Sequence, residues 1–184
     1  MTATEQFVVL SALGSDRPGL VAEVTEYVRE HGGNVEDSRM AVLGAEFGIL
    51  LLVSGTETEI AAIERDLPNV EAKTGLQVLH RRTRSPEDHR RASGVPCLIT
   101  AEALDQEGIV HAVSRALSKV GVNIVSLETS AYQAPVTGSP LFRMEARIDI
   151  PSGITIGKVR KAMDEVAEAE NLDIDVRSLV GKGA

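Results

Sequence analysis

The sequence predicts an α+β fold: two ferredoxin-like βαββαβ units in tandem, each an antiparallel sheet with two helices on one face. Three observations lead there. First, Asp16-Arg17-Pro18-Gly19-Leu20-Val21 recurs 89 residues later as Asp105-Gln106-Glu107-Gly108-Ile109-Val110. At that offset, six of the 19 positions from Asp16 to Asn34 are identical, ending on Gly32/Gly121 and Asn34/Asn123. Self-similarity of this length means one small unit copied once. Second, in both halves the apolar period switches between 2 and 3.6 in the order β-α-β-β-α-β. Third, a polar stretch separates the copies, giving a first domain at 1–82, an Arg-rich linker at 83–93 and a second domain at 94–184.

Phe7 to Leu13 is a β-rich run. Ser15 or Asp16 is positioned to cap the helix that follows, and Pro18 suits a first turn, where a missing N–H costs nothing. Leu20, Val24, Tyr27 and Val28 share one helical face. Gly32-Gly33 supplies the left-handed ending. Asn34 to Val42 reads as a second strand, Leu43-Gly44-Ala45 as a turn and Phe47 to Val53 as an apolar third strand. Thr56 begins a second helix with Ile60, Ile63 and Leu67 on one side and Pro68 as its stop. Thr74 to His80 completes the unit.

The second half follows the same order. Pro96 to Ala103 is a strand, and Ile109, Val113, Ala116, Leu117 and Val120 form a helical stripe. Asn123 to Tyr132 is the next strand. In the third, Phe142, Met144, Ala146, Ile148 and Ile150 alternate with Arg143, Glu145, Arg147 and Asp149, the pattern of a sheet with one core face and one polar face. Ile156, Val159, Met163 and Val166 mark the second helix. Leu172, Ile174 and Val176 mark the last strand.

The chain has 184 residues, 43% of them apolar but only 3% aromatic, so its cores rest on Val, Leu, Ile and Ala. The net charge of −8 disfavours a polyanion as partner, because nucleic-acid binding rests on cationic neutralisation of phosphates. Too few aromatics are present for base stacking on a sheet. Cys97 is the only cysteine, which fits a reducing compartment. The N-terminal residues lack a signal-peptide pattern and no run reaches the ~20 apolar residues of a membrane helix, so a cytoplasmic protein is expected. Arg81, Arg82, Arg84, Arg90 and Arg91 crowd around the linker, either as a solvated hinge or as a basic docking strip.

The loop between strand one and helix one is the candidate site. Gly19 and Gly108 let backbone approach a small ligand. The helix N-terminus beyond suits a carboxylate. Asn34 and Asn123 open the following strand with an amide that both donates and accepts, suited to the ammonium or carboxylate of an amino acid. Capped turns would use the same residues, and the doubling leaves both readings standing. No catalytic constellation is legible. His31, His80, His89 and His111 have no metal-ligand spacing with each other or with Cys97, which falls in a buried strand, and Asp16 and Asp105 have no titratable partner. No cofactor or metal is expected.

Asp16-Arg17-Pro18-Gly19-Leu20 after a strand, followed by Gly32-Gly33-Asn34-Val35, resembles an ACT domain. So does Asp105-Gln106-Glu107-Gly108-Ile109 with Gly121-Val122-Asn123-Ile124. The stretch Ala134-Pro135-Val136-Thr137-Gly138-Ser139-Pro140-Leu141-Phe142 resembles tandem ACT proteins of the glycine cleavage system transcriptional repressor family. The resemblance implies a regulatory module with small-ligand sites at Asp16, Gly19, Leu20 and Asn34 and at Asp105, Gly108, Ile109 and Asn123. It implies action by contact with a DNA-binding regulator, without direct nucleic-acid binding. A regulatory subunit of a metabolic enzyme is the alternative, and a homo-oligomer is expected: the two units would pair sheet edges within one chain, or two chains would meet through the charged face around Arg143 and Arg147. Gln106-Glu107 in place of Arg17-Pro18 puts an acid at the second loop, so the two sites are expected to differ and the first to favour a carboxylate.

Overall fold

A computed structural model describes residues 5–89, 94–135 and 137–179. The chain divides into two compact units, 1–90 and 91–184. The first is β1 (Gln6–Ser15), α1 (Leu20–Glu30), β2 (Asn34–Leu43), β3 (Glu46–Gly55), α2 (Glu57–Thr74) and β4 (Gln77–Thr83), followed by a short helix α3 (Pro86–His89). The second is β5 (Val95–Leu104), α4 (Ile109–Val120), β6 (Asn123–Gln133), β7 (Pro140–Ile150), α5 (Ile156–Glu170) and β8 (Asp173–Ser178). Each sheet is wholly antiparallel, in the orders β2-β3-β1-β4 and β6-β7-β5-β8. These are the two α+β, ferredoxin-like units the sequence predicts.

Alternation on the strands builds one core per unit. Val8, Leu10 and Ala12 of β1 meet Ile49, Leu51 and Val53 of β3 under Val24 and Val28 of α1 and Ile60 and Ile63 of α2. In the second unit Met144, Ala146, Ile148 and Ile150 point inward as expected, against Val113, Leu117, Val159 and Met163. The outward faces diverge. Leu13, Leu50 and Leu79 are exposed in the first unit. The second carries Arg143, which pairs with Glu145 at 2.9 Å and with Glu102 at 3.7 Å.

Several boundaries differ from expectation. The residue entering α1 is Gly19, at φ 96° and with no side-chain cap, so neither Ser15 nor Asp16 caps the helix and Pro18 precedes its first turn. β1 runs to Ser15, which leaves only Asp16 to Pro18 before that glycine. Pro68 does not stop α2, which continues to Thr74. An internal proline costs about 3 kcal/mol. The helix beyond it buries Val70 and positions Leu76, and each such side chain contributes roughly 1.5–3 kcal/mol. Burial therefore outweighs the proline, and β4 starts three residues later than predicted. Thr56 does begin α2, in a reciprocal capping box with Glu59.

Gly32 takes the left-handed turn at φ 80°, but Gly33 does not, and its reason for being glycine is crowding. A Cβ there would lie 2.8 Å from Ile63 Cδ1, 2.9 Å from Val53 Cγ1 and 3.0 Å from Val28 Cγ1. Arg81 and Arg82 belong to β4, not to a linker. Arg82 binds Glu57 at 2.7 Å and Glu64 at 2.8 Å, and their carboxylates hold its guanidinium charged. Arg90 and Arg91 lie outside the described residues. One edge strand of each sheet, β2 and β6, carries a bulge, with Glu36 and Val125 as the extra residues.

Candidate functional site

The β1–α1 loop is built the same way in both units. The Asp16 N–H donates to Ala45 O at 2.9 Å, tying the loop to the β2–β3 turn, and the Asp105 N–H donates to Pro140 O at 3.0 Å. Both aspartate side chains are exposed. The helices then enter through glycines of matching geometry: φ 96° and ψ −14° at Gly19, φ 91° and ψ −4° at Gly108. That region of backbone space favours glycine. Neither helix has a side-chain cap, so the first-turn N–H groups, which lack intrahelical partners, face the loop with the positive end of the helix dipole. Leu20 and Ile109 are each 2% exposed, so their side chains belong to the interior and only their backbone is available to a ligand.

The residues before the glycines work as tethers. Arg17 donates to both oxygens of Glu23, at 2.6 and 2.7 Å, and to the carbonyl of Thr74 at 3.4 Å. This pairing raises the arginine and lowers the carboxylate from their ordinary values. Gln106 donates to the carbonyl of Glu170 at 2.7 Å. Thr74 and Glu170 are the last residues of α2 and α5. Arginine and glutamine thus perform one task, docking the loop onto the end of the second helix. The Arg17 guanidinium is thus paired with Glu23, while Glu107 stands exposed in the second loop.

The asparagines stand elsewhere. Asn34 pairs with Ser54, which pairs with Phe7 at the start of β1. The loop follows Ser15, eight residues further along, or roughly 26 Å at 3.3 Å per residue. Asn123 likewise pairs with Asp149, which pairs with Pro96 near the start of β5. Each asparagine sits at the opposite end of its own sheet from the glycine it was grouped with. Sequence spacing could not show this, because the helix carries the chain back down the sheet before the next strand begins.

The two asparagines also differ from each other. Asn34 Nδ2 donates to Glu36 Oε1 at 2.7 Å, and the Ser54 hydroxyl donates to the same oxygen at 2.6 Å. The Ser54 bond, then the Asn34 bond, holds the Glu36 carboxyl below its usual range. In the second unit the bulged position is Val125, and Asn123 has no side-chain hydrogen bond among the described residues. Sequence reasoning missed this triad, although the alternation of β2 breaking at Glu36-Asp37 was a signal. Among the described residues no group of three or more His, Cys, Asp or Glu could hold a metal ion, and no helix is long and apolar enough to cross a membrane.

Residues 6–80 match the ACT domain family. The Glycine cleavage system transcriptional repressor of Escherichia coli is 42% identical over 81 residues, covering 44% of this chain and 43% of that protein. The chain therefore spans less than half the length of that curated relative. Phosphoserine phosphatase SerB2 of Mycobacterium tuberculosis is 27% identical over 173 residues, 92% of this chain and 40% of that protein. A crystal structure of an unknown protein from Galdieria sulphuraria is 36% identical over 96% of this chain and all of that one, with a TM-score of 0.77. A crystal structure assigned to a glycine cleavage system transcriptional repressor is 26% identical over 96% of this chain and 99% of its own, with a TM-score of 0.72.

Proposed function

Because the chain belongs to the ACT-domain proteins, we propose that it is a non-enzymatic cytoplasmic regulator that senses an amino acid and acts by contact with a protein partner, a DNA-binding regulator of transcription. One observation carries the reading: the same uncapped, glycine-entered helix N-terminus occurs twice, at Gly19 and Gly108. A free α-amino acid has complementary parts. Its carboxylate fits the first-turn N–H groups at Leu20 or Ile109, and its ammonium fits the exposed carboxylate of Asp16 or Asp105. Asn34 and Asn123 are left out of this ligand set by their place in the sheets. The tethers of Arg17 and Gln106 make the two loops alike, so both belong to the proposal.

Binding would regulate a partner only by differing in strength between two states of the protein. Isothermal titration of the full chain with glycine, serine and the other common amino acids tests the sensor. Binding that weakens in Asp16→Asn and Asp105→Asn supports it. No heat at millimolar ligand together with no shift in melting temperature removes it. Pull-down from cytoplasm with and without the bound amino acid then identifies the partner.

The alignment over 92% of this chain with part of a longer phosphatase favours a second reading, in which such a tandem regulates a metabolic enzyme. Recovery of an enzyme in place of a DNA-binding protein decides for it.

A further inference from the structure

The helix layer of the second unit departs from that of the first. Between α4 and α5 lies an open groove of about 430 Å³. Its floor is small and apolar, with Ala116, Val120, Ala162 and Val166. One rim is basic: His111, Arg115 and Lys119 recur every four residues along α4. The other is acidic, with Glu165 and Glu170 on α5. Among the described residues Arg115, Lys119, Glu165 and Glu170 form no ion pair.

The first unit closes the same space. Strand register matches Val78 with Ile174, an offset of 96 that also matches the left-handed ends of α2 and α5 at Gly75 and Asn171. By these offsets Ala116, Val120 and Ala162 stand where the first unit has Tyr27, His31 and Asp66. There the Tyr27 hydroxyl donates to Ile63 O at 2.6 Å, His31 meets Asp66 at 3.2 Å, and the two rings lie 4.6 Å apart. Arg115 and Lys119 replace Glu26 and Glu30. The second unit has emptied the groove and reversed the charge of one rim.

We propose that the α4–α5 face of the second unit is a self-association surface that docks on the same face of a second copy of this chain. The rims are self-complementary: a two-fold axis parallel to the helices lays the basic rim of one copy over the acidic rim of the other, at both halves of the contact. The apolar floor would form the dry centre and the charges the rim. The area is modest. The 15 residues of α5 span about 22 Å, and two helix diameters about 20 Å, giving roughly 450 Å² per copy against about 800 Å² for a standard interface. Association should be weak and salt-sensitive. The proposal stands whether or not the β1–α1 loops bind an amino acid.

Sedimentation equilibrium of the full chain at low salt tests it, with Arg115→Glu/Lys119→Glu and Glu165→Lys/Glu170→Lys as charge-reversed variants. Each variant alone places like charges across both halves of the contact and should dimerise at least about tenfold more weakly than the wild type. An equimolar mixture of the two variants makes both halves complementary again and should restore the dimer. Ala116→Tyr, which copies Tyr27 into the groove, should also weaken it. A wild type that stays monomeric, variants that dimerise like the wild type, or a mixture that fails to recover overturns the proposal. Recovery by the mixture also excludes misfolding as the cause of the loss.

Discussion

Gly33→Ala should destabilise the first unit through a contact that can be removed separately. The new Cβ meets three side chains at 2.8 to 3.0 Å, all from residues at most 1% exposed. Overpacking a close-packed core costs about 1–3 kcal/mol. Replacing glycine stabilises by about 0.4–1 kcal/mol through the unfolded chain. The net loss should be about 1–2 kcal/mol. The nearest atom is Ile63 Cδ1, which Ile63→Val deletes at a cost of about 0.5–1.5 kcal/mol on its own. In the double variant one of the three collisions is gone, so its loss should fall short of the sum by up to about 1 kcal/mol. The second unit holds a related exchange, with the larger Val122 at the position of Gly33 and the smaller Val159 at that of Ile63. Urea denaturation of the full chain, with hydrogen exchange read over residues 6–83, measures both quantities. A Gly33→Ala protein within about 0.5 kcal/mol of wild type, or strict additivity in the double variant, would refute the reasoning.

Two further outcomes follow from the same geometry. The Glu36 carboxyl titrates below its ordinary value because Ser54 and Asn34 donate to its charged form. Its contribution to stability is therefore complete above the unfolded value of about 4.3 and is lost as pH falls through the folded pKa. Glu36→Gln should flatten the acid limb of thermal stability, and an unchanged limb in this variant counts against the triad. Burial raises the Cys97 thiol above its usual value, and the residue is fully enclosed. It should resist maleimide at neutral pH and react only on unfolding. Rapid labelling of the native protein would show that the enclosure does not hold.

Much of the fold was legible because strand alternation and helix spacing are dense where the cores form. Phe47 and Met144 turn inward as their periods require. Capping was less legible: Asp16 has the right chemistry for a cap, but the left-handed backbone of Gly19 starts the helix instead. Pro68 misled because a local penalty is readable in one residue, whereas the burial that outweighs it is spread over Val70 and Leu76 beyond it. The glycine half of the candidate site was visible as a repeated motif. The distance of the asparagines from the glycines was not legible, because adjacency in sequence across a helix means opposite ends of a sheet.

The bulges at Glu36 and Val125 interrupt β2 and β6, the longer of the two edge strands in each sheet. A straight ten-residue edge is a template on which strands of other molecules can stack into fibres. One extra residue kinks that template, so an incoming strand loses register there. The longest unbroken stretch of β2 shrinks to Asp37–Leu43 and that of β6 to Ser126–Gln133. Duplicating the unit doubled the hazard of fibre growth along its longer edge, and each copy carries its own interruption there.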